Sequence, residues 1–263
     1  MSYYSNSSIT PNVPAVTGFL PTDLANLEVW YDADDATTIT ESSGDVSQWD
    51  DKSGNDNHLE QTSGTKQPSY HTGTLNGRAV VRFDGVDENL ESQNNTGFTT
   101  SDAISVFGVI TKTGTFNDFE TVISQNGNDL QDSMAFLFGN GSAASPKPAV
   151  STDTWGQDGI QVDATISAGT YLIGWVIPDW SDHFDSPTNN QIRIDKVDQT
   201  VKAYGTVAPG TLVNDVWHVG GFDNLSTAFL DGDIAELFVV KREVTATEIT
   251  RIENYLQNKW GVP

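Results

Sequence analysis

The chain has 263 residues, 13 basic against 36 acidic, a net charge of −23, no cysteine, and seven Trp, seven Tyr and twelve Phe. Such a field excludes nucleic-acid partners, because no basic patch could offset it; the missing cysteine excludes a disulfide framework, a thiol nucleophile and Cys-ligated zinc. The aromatic supply suits sheets, and the length fits one all-β domain.

Taken in order, residues 1–22 (MSYYSNSSITPNVPAVTGFLPT) carry three prolines and no usable period, which predicts an extended arm. Its apolar anchors, Tyr3, Tyr4, Ile9, Val13 and Val16, are expected to fill shallow pockets on an assembly partner. The N terminus lacks a basic region and an apolar run, so no Sec-type signal peptide and no membrane insertion is expected.

Residues 27–31 (LEVWY) predict a strand closed by the acidic turn Asp32, Asp34 and Asp35. Strands follow at 46–50, 58–61, 79–84, 103–112, 119–125, 134–138 and 171–177, separated by Gly, Asn and Asp turns. Residues 191–197 predict a half-exposed strand, with a hairpin corner at Asp198-Gln199 before 201–204. Trp30, Trp49, Trp175 and Trp217 lie in apolar strand contexts and are expected in the core.

The end of the chain is the most legible. Residues 234–240 read as a strand, and Thr245-Ala-Thr-Glu248 fits a capping box. Ile249, Ile252, Leu256 and Trp260 then form one apolar helical face, stopped by Gly261 and Pro263. Many short strands and one helix over 245–259 predict a two-sheet antiparallel sandwich closed by that helix.

With WYDADD (30–35), VSQWDDKSGN (46–55), VVRFDGVDENL (80–90) and GDIAELFVVKREVTATEITRIENYLQNKWGV (232–262) in view, the chain resembles the laminin-G-like, concanavalin-A-like lectin/glucanase jelly rolls. The variant it resembles occurs in bacteriophage structural proteins and bacterial surface proteins. That resemblance implies a concanavalin-A-like jelly-roll domain over residues 23–263, including the helix.

Three chemistries are weighed on that frame. Glucanases of the superfamily carry a Glu-x-Asp-x-(x)-Glu motif; Asp231-Gly-Asp233-Ile-Ala-Glu236 approaches it, but its outer carboxylates face opposite sides of a regular strand unless a bulge intervenes. No catalytic dyad is expected, hence no hydrolysis. The resemblance implies a structural calcium site at Asp84, Asp87 and Glu236, with Ala235 standing where the family often has Asp. Sugar binding would use aromatic faces beside carboxylates in rim loops, with Trp180, Asp182 and His183 in one loop and Trp155 in another.

The resulting expectation is a non-catalytic, lectin-like virion surface protein, a phage head decoration or fibre component that attaches to glycans. Its arm would hold other virion proteins, and a homo-oligomer is expected. Alternatives are a purely structural capsid ornament, a bacterial surface protein exported by a non-Sec route, and a divergent glycoside hydrolase.

Overall fold

The computed structural model describes residues 18–114, 119–125, 133–139, 146–151, 159–181, 187–205, 212, 215–221 and 228–263. Its elements are antiparallel strands, three short 3-10 turns and one α-helix, Ala246–Trp260, among the described residues.

The strands pack as two layers. The back layer runs Gln191–Ile194, Gly169–Ile177, Ile104–Lys112 and Asp231–Val240, all antiparallel. Two strands share the remaining edge of Asp231–Val240: Arg78–Asp84 pairs with its first half and Leu27–Asp32 with its second. The handover falls at a β-bulge between Ile234 and Glu236. The front layer runs Leu59–Glu60, Leu90–Asn95, Val216–Val219, Thr121–Gln125, Met134–Leu137, Ala149–Ser151, Gly159–Val162 and Val201–Tyr204. Asp45–Trp49 turns the corner, pairing with Leu59–Glu60 and with Ser69 of the back-layer strand Ser69–Leu75.

Alternating residues of both layers meet between them, where Trp49, Trp175 and Trp217 are fully buried. Phe136 of the front layer meets Trp175 of the back layer edge-on, with centroids 5.7 Å apart. On the outer face of the back layer, Gly174 leaves room for its cross-strand partner Phe107: a Cβ at that position would lie 2.5 Å from the Phe107 ring.

The helix covers the outside of the back layer. Thr245 Oγ1 accepts from the Glu248 N–H, and Glu248 Oε2 accepts from the Thr245 N–H, closing the capping box the sequence spells. Gly261, at φ 64°, ends the helix in the left-handed conformation its sequence predicts. Ile249, Ile252, Leu256 and Trp260 are buried against Phe107, Val109, Leu172 and Phe238. Each such burial stabilises by about 1.5–3 kcal/mol.

Two local expectations are corrected. The hairpin corner lies at Asp195-Lys196, both with positive φ, since Ile194 pairs with Val197. Strands over Ile39–Ser42, Ser69–Leu75, Leu90–Asn95, Ala149–Ser151 and Gly159–Val162 join those anticipated.

Candidate functional site

The front layer's outer face carries the most chemically suggestive row. Strand Leu90–Asn95 alternates: Leu90 and Ser92 are buried, whereas Glu91 and Gln93 are exposed. Its partner Leu59–Glu60 buries Leu59 and leaves Glu60 part-exposed. Glu60 pairs directly with Glu91, and Glu91 with His218 on the next strand. His218 pairs with Ser124, Ser124 with Ala135, and Ala135 with Ser151, so one register row crosses the sheet.

Glu60 and Glu91 line one pocket of ≈ 280 Å³ together with Gln61, Thr62, Ser92, Gln93 and Val216. Side chains directly opposite on paired strands have Cβ atoms about 4.5–5.5 Å apart. The Gln93 amide donates to Glu60 Oε1, which fixes that carboxylate's orientation. The pocket lining contains no basic side chain among the described residues. Two carboxylates presented side by side, one held by an amide, can divide nucleophile and proton-donor roles between them.

The residues nominated from the sequence do not converge. Trp180 is 1 % exposed and packs against Phe136, ring centroids 6.5 Å apart. It is a core side chain, not a stacking platform, because the loop turns its ring inward. Trp155, Asp182 and His183 lie outside the described residues, as do Tyr3, Tyr4, Ile9, Val13 and Val16.

Glu236 is fully buried beneath the helix. Its Oε1 accepts from the Trp30 indole at 2.7 Å and the Tyr255 hydroxyl at 2.8 Å; its Oε2 accepts from the Trp260 indole at 2.7 Å. Lys259 Nζ lies 2.9 Å from Oε2 and 2.6 Å from Asp32 Oδ1. Burial raises the Glu236 pKa, with Lys259 opposing. Four donors occupy both oxygens, so this carboxylate anchors the helix and is closed to a cation.

Asp84 is the register partner of Asp231, at the start of the terminal strand, whereas Glu236 sits at its middle. Its Oδ1 caps its own turn, accepting from the Val86 N–H at 2.8 Å, and its N–H donates to Glu88 Oε2 at 2.9 Å. Asp84, Asp87 and Glu236 therefore do not form one calcium site, and among the described residues no group of three or more His, Asp or Glu is placed to hold a metal. The bulge does bring Asp233, Ala235 and Glu236 to the outside, but Asp233 is held by Arg82 at 2.6 and 2.9 Å. No dyad arises there. The acidic turn is likewise engaged: Asp32 and Asp35 hold Lys52 at 2.9 and 2.7 Å, and Asp34 holds Arg78.

Sequence reasoning missed Glu60 and Glu91. Each follows a buried Leu, and only the pairing of two strands separated by residues 61–89 makes them neighbours. 

No family model matches the chain, and no curated protein matches it. Among solved structures, it is similar to domain 4 of AbnA, a GH43 extracellular arabinanase from Geobacillus stearothermophilus, in complex with arabinotriose: TM-score 0.54, 13% identity, 89% of this chain and 99% of that one. It is similar to an arabinofuranosidase complexed with arabinofuranosyl-alpha-1,2-xylobiose, with TM-score 0.56, 16% identity and 83% of this chain covered. It is also similar to Trypanosoma rangeli sialidase in complex with the inhibitor DANA, with TM-score 0.53, 10% identity and 96% of this chain covered. The chain spans 52% of the arabinofuranosidase and 36% of the sialidase.

At these identities the likeness establishes the all-β sandwich fold. It also corrects two expectations. The three neighbours named come from carbohydrate-active enzymes and none from a phage particle, which overturns the non-catalytic virion role and the non-enzyme assignment.

Proposed function

We propose that the chain is a carbohydrate-active domain of the glycoside-hydrolase kind, acting at the front-layer pocket. One observation carries this reading: Glu60 and Glu91 are direct cross-strand partners lining the same pocket. Cβ atoms of such partners lie about 4.5–5.5 Å apart, which leaves both carboxyl groups able to reach the separation of about 5–5.5 Å that retaining enzymes use. The neighbours' names, which speak of arabinanase, arabinofuranosidase and sialidase, support sugar as the substrate class.

The roles follow from orientation. Glu60, steadied by Gln93, attacks the anomeric carbon through a carboxylate oxygen as the bond to the leaving oxygen breaks. Glu91, protonated, gives its proton to that oxygen. A water then attacks the anomeric carbon, Glu91 takes the water's proton, and the ester to Glu60 is cleaved. His218, beside Glu91 in the row, helps to position it.

The test is hydrolysis of arabinan, arabinoxylan and 4-nitrophenyl α-L-arabinofuranoside by the intact chain. Turnover reduced at least about 100-fold by both Glu60→Gln and Glu91→Gln supports the reading. Absent turnover, or turnover indifferent to both changes, overturns it.

A further inference from the structure

On the far side of the sandwich, residues entering at Gly18 meet the exposed flank of the helix and enclose a pocket of ≈ 740 Å³. Phe19 and Leu20 form one wall; Arg251, Asn254, Tyr255 and Asn258 of the helix form the other. We infer that this pocket binds an uncharged sugar unit of an oligosaccharide, at a site separate from Glu60 and Glu91.

Three features carry the inference. Each wall offers apolar surface: Leu20 is 47 % exposed, and Tyr255 is locked by its hydroxyl on Glu236 and by edge contact with Phe19 at 5.8 Å. Such a surface suits the C–H face of a sugar ring. Two amides one helical turn apart, Asn254 and Asn258, stand beside it for hydroxyl groups. Asn254 Oδ1 already accepts from Lys196 Nζ at 2.9 Å, which leaves its N–H groups to donate.

Charge decides the ligand class. The pocket holds three cations, yet each has a carboxylate: Arg78 has Asp34, Lys259 has Asp32 and Glu236, and Arg251 has Asp23 at 3.8 Å while lying over the Phe19 ring. An acidic sugar would find no uncompensated cation and would approach a chain of net charge −23. A neutral sugar meets neither obstacle.

The experiment titrates the intact chain with cellotriose, xylotriose, arabinotriose and trigalacturonate, by calorimetry and amide NMR. At least one neutral trisaccharide should bind and shift the amides of Tyr255 and Asn258. Asn258→Ala and Arg251→Ala, both exposed positions whose unfolding midpoints serve as the folding check, should each weaken binding about tenfold. Glu60→Gln should leave it within about twofold, and trigalacturonate should bind about tenfold more weakly. No shift with any trisaccharide, indifference to both helix variants, or preference for trigalacturonate would overturn the inference. So would binding that emerges only when residues 1–17 are removed, since the pocket would then belong to the chain's own N-terminal segment.

Discussion

Trp260 donates its indole N–H to Glu236 Oε2 at 2.7 Å, tying the last turn of the helix to the middle of the terminal strand. Trp30 binds the same carboxylate from the strand Leu27–Asp32 and Tyr255 from the same helix, and Lys259 supplies the countercharge. Removing Glu236 strands the two buried indoles of Trp30 and Trp260 and takes a partner from the half-buried Tyr255 and Lys259. Glu236→Ala should lower stability by about 3–5 kcal/mol, as for breaking one side of a buried ion pair. Trp260→Ala should do the same by about 3–5 kcal/mol through lost packing. Urea unfolding midpoints of the two variants check this; an unmoved midpoint in either means the helix is peripheral.

Trp180 is expected to report on packing. Trp180→Ala should destabilise by about 3–5 kcal/mol, given its burial against Phe136. Thermal melts measure the effect, and a folded variant with an unchanged midpoint would show that the ring is not a core element.

Gly174→Ala should destabilise by about 1–3 kcal/mol, because the new methyl would press on the Phe107 ring from 2.5 Å. Pairing it with Phe107→Leu should recover part of the loss in the same melts; no recovery would assign the strain elsewhere.

Two carboxylates give opposite pH signatures. The Arg242 guanidinium and the capped helix terminus hold Glu248 at about 2, below its ordinary 4.5. Its folded-state value is depressed, so its stabilisation is present above about 4.5 and lost as pH falls towards 2. Burial and the charge of Asp84 push Glu88 up to about 7. Its folded-state value is raised, so its relative stabilisation is present below about 4.5 and lost as pH rises through 7. Glu248→Gln should therefore flatten the acid limb of the stability–pH curve, and Glu88→Gln should gain on the parent between pH 5 and 8. Denaturation midpoints would contradict the account if Glu248→Gln ran parallel to the parent below about pH 4.5, or Glu88→Gln between pH 5 and 8.

What the sequence revealed tracks where physics is local. The capping box at Thr245 and Glu248, the Ile249–Ile252–Leu256–Trp260 stripe and the stop at Gly261 are all short-range patterns, and each appears in the fold. Strands such as Ser69–Leu75 escaped notice because neither face is fully buried, so hydrophobic alternation is weak. The Asn76-Gly77 turn after it, with both φ values positive, was the better signal. Long-range relations were beyond reach. Glu236 reads as a turn acid until Trp30 arrives from 206 positions away, and Glu60 meets Glu91 only through strand pairing.

The central claim, that Glu60 and Glu91 form a retaining pair, is tested most directly by trapping. The intact chain and its Glu91→Gln variant are incubated with an activated 2-deoxy-2-fluoro glycoside of arabinose, and proteolytic peptides are weighed. The account expects one glycosyl ester, on the peptide that carries Glu60, absent in Glu60→Gln. No adduct with a glycoside that the chain turns over, or an adduct on another carboxylate, would contradict it.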